Sequence, residues 1–548
     1  MLINTTSGCL CHKSEQTAAF ESTPAFTELI SSMTTDIDYP RIEQEVENYY
    51  RYATFSHRWE DNEPLFEKVL NVVVYDLEEY PTHDKLQMFC KIVREAGFNW
   101  AWSDTCCINK GDHFVLQEAL VSMFKWYEGS SLTIVFLRGV HRLSLRGALT
   151  KNIWNKRAWT LQEYHASRVV RFYTEDWTPY LNLDIPNHKE SPEIISEMEE
   201  ATGISAGAFV TLRPGLDDIR EKLCLASRRE TTYVEDAAYS LLGIFSVSLP
   251  VVYGEGDKAL GRLLAQLLTS SGDTSILAWT GRSGSFNSCL PAGIAVFRQL
   301  PILYIPPSLA DAEMESITSE LGVSLPDLTL AMQLYDQLHE LPVPSFSGQR
   351  LKLPCIAFRL GRISTTRNGS ERVFRAQTTG LGVVEIKTKE DLSRLSSLCL
   401  VHPWIDFLLD RHVVQGMAET KHEEDIDDES PSSVDPSNTA SMALQTRVAH
   451  LVTRPGEHFE ERPTWCDEDP PFLLPPAILS PIEKQTRALR LLARLRQPFG
   501  ALLLTPTRQH IQEYRRVASG GLITVQVEVI TSVTLDNLIN SVRVLDVL

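Results

Sequence analysis

The sequence predicts an α/β protein: an open parallel sheet flanked by helices, followed by a helical segment and a mixed, strand-rich second half. Three observations carry this. Between Tyr52 and Leu137, β-prone runs alternate with amphipathic helical patterns, the order that gives a parallel sheet with right-handed crossovers. Ser131-Leu-Thr-Ile-Val-Phe-Leu137 is a nearly continuous β-branched and apolar run, as expected of a strand covered on both faces. From about residue 282 onward, Pro and Gly punctuate short β-prone runs such as Val383–Ile386 and Leu522–Val529, a strand-rich signature.

The first strand is read from Tyr52-Ala-Thr-Phe-Ser-His-Arg-Trp-Glu60, a β-prone run that ends in polar residues and delivers a loop to one edge of the sheet. From Asp84 to Ala96, Leu86, Phe89, Cys90, Val93 and Ala96 share one helical face, with Gly97 as the left-handed stop. A second strand, Phe98–Ser103, opens into Asp104-Thr-Cys-Cys-Ile-Asn109. A second helix then carries Leu116, Ala119, Leu120, Met123 and Tyr127. In such sheets ligands bind beyond the carboxyl ends of the strands, where the loops after Phe55 and Ser103 both fall. Residues 187–271 read as helical, opening at Ser191-Pro192 as N-cap and first-turn pair and including Glu235–Val247 and Asp257–Leu268.

Length and composition bound the rest. At roughly 150 residues per domain, 548 residues make about three or four domains. The reading divides the chain into an α/β domain over 1–185 with its core at about 48–180, an associated helical segment over 186–281, and a mixed β-rich region over 282–548. Residues 418–443 are acidic and Ser-rich and are expected to be a disordered insertion. The chain holds 52 Lys and Arg against 71 Asp and Glu, a net charge of −19, which argues against a phosphate-tracking surface and hence against nucleic acid. Between Glu419 and Asp435 alone there are eight acidic residues and one Lys. Ten Cys are too few for a disulfide scaffold, the start has no signal-peptide pattern, and no apolar run reaches the 18 or so residues of a membrane span. A cytoplasmic protein without a membrane span is expected.

Candidate chemistry concentrates in three places. In Trp154-Asn-Lys-Arg-Ala-Trp-Thr-Leu-Gln-Glu-Tyr164, Trp159 and Glu163 stand four apart and so share a helical face, with Arg157 just before them. That pattern can suit a planar ligand with a ribose, but spacing alone favours an Arg–Glu pair with two Trp in the core. Ser56-His-Arg-Trp-Glu60 puts Ser56, His57, Arg58 and Trp59 on one proposed ligand rim, in no order that marks acyl transfer. Asp104 adjoins Cys106 and Cys107, which read as small buried fillers rather than reactive thiols. Cys9-Leu-Cys11-His12 lacks a second pair of ligands, so no metal site is assigned. Tyr253-Gly-Glu-Gly256 reads as a tight turn capping a helix, lacking the spacing of a dinucleotide or phosphate loop.

Taken in order, Tyr52–Glu60, Trp102–Asn109, Met123–Leu137 and Arg157–Tyr164 resemble the blocks of fungal heterokaryon-incompatibility (HET) domains. Glu235–Phe245, Leu249–Gly256, Arg262-Leu and Asp273–Trp279 resemble the segment commonly found downstream in such proteins. The likeness covers about the first half of the chain. Phe55 stands where the family usually has Leu, Cys106 where it often has Leu, and Lys110 where Gln is common; none is a proposed catalytic group.

The HET domain is itself similar to the TIR fold, a flavodoxin-like parallel sheet, some members of which cleave NAD. Tyr52–Asp61 is similar to the first TIR strand and its loop, and Trp159-Thr-Leu-Gln-Glu163 to the block holding the catalytic Glu. The resemblance therefore implies Glu163 as catalytic, with Ser56, His57, Arg58, Trp59, Asp104, Arg157 and Trp159 around the substrate. It implies NAD as a substrate rather than a resident cofactor, activity on self-association, and an unknown protein trigger. Its biological implication is non-self recognition ending in cell death. The competing expectation is a non-enzymatic signalling or recognition module that acts through protein contacts.

Overall fold

The computed structural model describes residues 1–32, 39–203, 213–298, 325–368, 371–378, 382–388, 390–395, 397–403, 480–496, 499–507, 513–517, 523–525 and 531–548. The expected acidic insertion at 418–443 lies outside them.

Six strands form the first sheet: β1 (Leu2–Asn4), β2 (Leu10–Cys11), β3 (Tyr52–His57), β4 (Trp100–Ser103), β5 (Leu132–Leu137) and β6 (Val170–Thr174), in the order β2-β1-β4-β3-β5-β6. β4, β3, β5 and β6 are mutually parallel, whereas β1 adds antiparallel to the free edge of β4. The parallel strands thus run outward in both directions from β3. Such a reversal opens a crevice at the carboxyl ends of the strands on either side of it. All six residues of β5 are buried, as its unbroken apolar run predicts. The N-terminal hairpin is too short to give a period-two signal, so it was not legible in the sequence.

The helices follow the predicted pattern with shifted ends. Pro81–Glu95 begins three residues before Asp84 because Pro81 supplies the first-turn position, and it buries Leu86, Phe89, Cys90 and Val93. Gly97 closes it in the left-handed region at φ 84°. His113–Glu128 is capped by Asp112, whose side chain accepts from the amides of Phe114 and Val115, and it buries Leu120, Met123, Phe124 and Tyr127. Pro192–Thr202 starts on the predicted Ser191 cap, and Lys258–Ser271 replaces the expected Asp257–Leu268. The expected helix over Glu235–Val247 is a correction: the α-helix there spans only Asp236–Tyr239, and the chain then turns. The reason is tertiary. Gly243 lies so close to the helix His113–Glu128 that a Cβ built on it would meet Phe124 Cβ at 2.1 Å, and Ser246 takes a positive φ of 52°. Side chains of this segment, including Tyr239, Leu242 and Leu263, join one apolar core with the sheet residues Phe55, Trp102, Ile134 and Phe172.

The second half is strand-rich, as expected. Its strands are β7 (Ser345–Ser347), β8 (Arg350–Asn368), β9 (Glu371–Thr378), β10 (Gly382–Thr388), β11 (Cys399–Pro403), β12 (Phe499–Pro506), β13 (Glu513–Arg516), β14 (Ile523–Val525) and β15 (Val542–Val547). The long β8 pairs with β7, β9, β11 and β15, and the pairings β8–β11–β12–β13–β15–β8 close into a ring. Helices Leu325–His339, Pro481–Arg496 and Ser532–Ile539 contribute to a second apolar core with Ile356, Phe374 and Leu400. The first apolar core continues across the seam into Leu351, Leu353, Val401, Leu502 and Val547 of the second half, and buried polar contacts add to it. The buried Arg516 guanidinium donates to the carbonyls of Leu277 (2.9 Å) and Trp279 (2.6 Å) and lies 3.8 Å above the Trp279 ring. Asn287 donates to the carbonyls of Gln349 and Val547, both at 2.8 Å.

The contact at Gly243 gives a direct test of this packing. Gly243→Ala forces Phe124 or the turn to move, and overpacking of this kind costs about 1–3 kcal/mol. The variant is expected to melt several degrees below the parent in a thermal unfolding scan; an unchanged melting temperature would place Gly243 away from the helix.

Candidate functional site

The site is built at the carboxyl end of β3. Successive side chains of a strand point to opposite faces, so Ser56 and His57 face different ways. Ser56 faces the helix Trp159–Ala166, where its hydroxyl lies 2.5 Å from Glu163 Oε2 and accepts from the Trp154 indole N–H at 2.8 Å. A hydroxyl has one proton, and here Trp154 takes the acceptor side, leaving the Ser56 proton for the carboxylate. Tyr127 fixes the strand end from below, donating to the Phe55 carbonyl at 2.9 Å.

Glu163 is 7% exposed. Burial in first place, and the neighbouring Asp104 carboxylate in second, push its carboxyl up to about 8, against the opposing pull of the Ser56 hydroxyl, Arg157 and Arg229. Neither arginine makes an ion pair with it; both act at longer range. Arg157 and Glu163 therefore do not close on each other, while Trp154 is fully buried and Trp159 half-buried. Arg157 instead reaches the His57 carbonyl at 3.4 Å and lies half-buried.

Trp59 donates to both oxygens of Asp104, at 3.0 and 3.2 Å, and Lys110 Nζ sits 3.5 Å from the centre of its ring. Burial lowers the Lys110 ammonium, with Asp104 opposing. Trp159 faces Asp236 of the helical segment; burial raises the Asp236 carboxyl, and the Trp159 indole, the Tyr253 hydroxyl and Arg157 pull it down.

Two of the expected rim residues stay apart from this cluster. His57 is buried on the opposite face of β3, stacked on Phe55 with ring centroids 4.2 Å apart, its Nε2 3.7 Å from Glu63 and beyond hydrogen-bond reach. Burial, then Lys85, lower its imidazole. Burial would raise the Glu63 carboxyl, but His57 and Lys85 hold it down at about 2. Arg58 is exposed, and its carbonyl accepts from Lys85 at 3.4 Å. Of the expected set, Ser56, Trp59, Asp104, Arg157, Trp159 and Glu163 are brought together, and His57 and Arg58 are not.

Sequence reasoning missed the contribution of the helical segment. Residues around Glu230 add a one-bridge strand to Arg157, with Ala158 N–H donating to the Glu230 carbonyl at 3.0 Å. That places the buried Arg229 against the Arg157 carbonyl (2.9 Å) and Thr160 Oγ1 (2.8 Å). Burial lowers its guanidinium to about 10, with Glu163 opposing. No local pattern marks Arg229, and Asp236 stands out only as part of the block Glu235–Phe245, with no role attached to it. The adjacent cysteines are buried, as expected, with the Ser103 amide on Cys107 Sγ at 3.3 Å. Among the described residues no three His, Cys, Asp or Glu side chains gather as metal ligands, and no helix is long and apolar enough to cross a membrane.

Residues 52–148 match the family model described as Heterokaryon incompatibility protein (HET). Over 226 residues, 39% of this chain, the sequence is 32% identical to Vegetative incompatibility protein HET-E-1 of Podospora anserina, of which the match covers 16%. This chain thus spans only a small part of that relative's length. No solved structure matches it.

The raised Glu163 carboxyl has a signed consequence. A carboxyl that holds its proton more tightly when folded, at about 8 against an ordinary 4.5, binds more protons in the native state. Its contribution is complete below about pH 4.5 and is lost as pH rises through about 8. The parent is expected to lose thermal stability between pH 6 and pH 8.5, and Glu163→Gln to lose markedly less. Parallel melting curves would show that the carboxyl is solvated.

Proposed function

We propose that this chain acts in heterokaryon incompatibility as a HET-domain effector of fungal non-self recognition, and that its α/β domain, with a TIR-like architecture, cleaves NAD to nicotinamide and ADP-ribose on self-association, leading to cell death. The observation that carries the enzymatic part is the buried Glu163 carboxyl, hydrogen-bonded to Ser56 at the carboxyl end of β3, with Asp104 close by and two arginines near but unpaired with it. The family match over 52–148 and the similarity to a vegetative incompatibility protein support the biological part.

A single carboxylate suits this chemistry. In NAD the bond between ribose C1′ and the nicotinamide nitrogen breaks with its electron pair going to the cationic ring, which leaves neutral, so no general acid is needed. This differs from glycoside hydrolysis, which uses two carboxyl groups. Water adds to C1′ and its proton passes to solvent. The task for Glu163 is to hold the ribose hydroxyls and stabilise the positive charge that grows on the sugar. Ser56, oriented by Trp154, fixes the carboxylate; in this reading Arg157 meets the diphosphate and Trp59 or Trp159 stacks on a ring. The cationic nicotinamide ring beside the ribose favours the ionised carboxylate, so the neutral resting state becomes active as substrate enters.

The test is nicotinamide release by purified protein at a concentration that permits self-association. Glu163→Gln is expected to reduce it about 100-fold or more, the scale of losing a main electrostatic stabiliser of a transition state. The kcat/KM of the parent is expected to rise with pH to a midpoint of about 8, the value of the resting Glu163. If the folded, assembled parent releases no nicotinamide, or Glu163→Gln releases it as fast, the residue has no catalytic role; the domain then acts through protein contacts.

A further inference from the structure

Tyr253 is an unusual surface residue. It is 38% exposed, yet its position is fixed from three sides. Its hydroxyl donates to Asp236 Oδ1 at 2.9 Å. The amide before it, on Val252, donates to the Tyr239 hydroxyl at 2.8 Å, and the amide after it, on Gly254, donates to Glu235 Oε1 at 2.8 Å. The Gly256 amide shares the same carboxylate oxygen at 2.8 Å, which closes the turn. The ring meets Tyr239 (centroids 5.6 Å apart) and Tyr233 (5.4 Å) in edge-type rather than stacked contacts. Around it Tyr233 is 60% exposed, Val234 58% and Val252 48%. The result is a rigid aromatic and aliphatic surface open to solvent, where a loop of this composition would ordinarily be mobile and polar.

This surface is continuous with the Glu163 site. Asp236 takes the Tyr253 hydroxyl on one side and faces the Trp159 indole on the other. Trp159 lies on the same helix as Glu163, four residues before it. Arg157 is tied to the same segment by backbone: it bridges Glu230, whose carbonyl accepts from the Ala158 amide at 3.0 Å, and Tyr233 follows three residues beyond that bridge.

We infer that the segment Tyr233–Tyr253 is the base-binding platform of the substrate site: the flat adenine of an adenine nucleotide stacks on Tyr253 and its neighbours, with the phosphates toward Arg157. The inference rests on the proposed reading only for the orientation of the substrate, since the platform is itself a binding site. Asp236 is a positioning residue that ties Tyr253 to Trp159, and the helical segment thereby sets specificity for a domain whose reactive carboxylate it does not carry. Stacking on an aromatic face is sequence-tolerant but demands a flat π-system, so phosphate or ribose phosphate alone gains nothing from it.

The experiment is calorimetric titration of the full chain with AMP, beside Tyr253→Ala, Tyr233→Ala and Tyr253→Phe, each first checked for an unchanged thermal melt. AMP is expected to bind the parent saturably, and ribose 5-phosphate to bind far more weakly. Tyr253→Ala is expected to weaken AMP about tenfold, the size of one lost base–aromatic stack, and Tyr233→Ala less, while Tyr253→Phe, which keeps the ring but loses the hydrogen bond to Asp236, falls between the parent and Tyr253→Ala. Should Tyr253→Ala fail to fold, the more exposed Tyr233→Ala carries the test. Binding of AMP that is indifferent to both residues, or no saturable binding by the parent, overturns the platform. Nicotinamide release is measured separately. If AMP binding depends on Tyr253 and no nicotinamide appears, the cleavage reading falls and the platform stands; if nicotinamide is released while AMP binding ignores Tyr253, the platform alone falls.

Discussion

The burial of one carboxylic acid organises this half of the molecule. Glu163 sits where the carboxyl end of β3 meets the helix Trp159–Ala166, and water reaches little of it. An ionised carboxylate there is costly unless it is hydrogen-bonded and offset by positive charge. Around it the chain supplies a hydroxyl from the strand, oriented by a buried indole, and two arginines that approach without closing an ion pair. The arrangement leaves the acid poised near neutrality rather than locked in one state, and separated titrations of this kind are typical of working sites.

The sheet and the helical segment share one apolar core beside Glu163, and polar contacts also tie them together. Arg229 is held in place by carbonyl and hydroxyl oxygens of the strand-to-helix connection, and Asp236 faces Trp159 from the same segment. The single bridge between Arg157 and Glu230 ties the two regions by backbone, and Gly243 lets the turn lie directly on Phe124. The second half joins the same apolar core through Leu351, Leu353, Leu502 and Val547, and a buried arginine adds to that attachment by capping carbonyls while lying over Trp279. Its guanidinium satisfies main-chain acceptors that would otherwise be stranded at the seam.

Strand alternation decides which polar residues of one short loop belong to the site. Ser56 and His57 are neighbours in sequence and were read together as one rim. The pleat turns them to opposite faces, where Ser56 meets Glu163 and His57 packs beneath Phe55 beside Glu63 and Lys85. Counting polar residues in a loop does not distinguish these outcomes; assigning the last residue of the strand does.

What the sequence by itself determined is what depends on local pattern. The alternation of β-prone and amphipathic runs gave the parallel strands, Ser191-Pro192 and Gly97 marked helix ends, and the unbroken run Leu132–Leu137 announced a strand buried on both faces. The spacing of Trp159 and Glu163 and the position of Ser56 at a strand end were enough to nominate them. Only tertiary structure decided the rest, because it depends on contacts between residues far apart in the chain. The N-terminal hairpin gains its partner from β4, nearly a hundred residues away, and the helix expected over Glu235–Val247 is cut short where Gly243 meets Phe124. Arg229 and Asp236 join the site across some seventy residues of sequence, and Glu163 acquires its raised carboxyl from the exclusion of water, which no neighbour in sequence can supply.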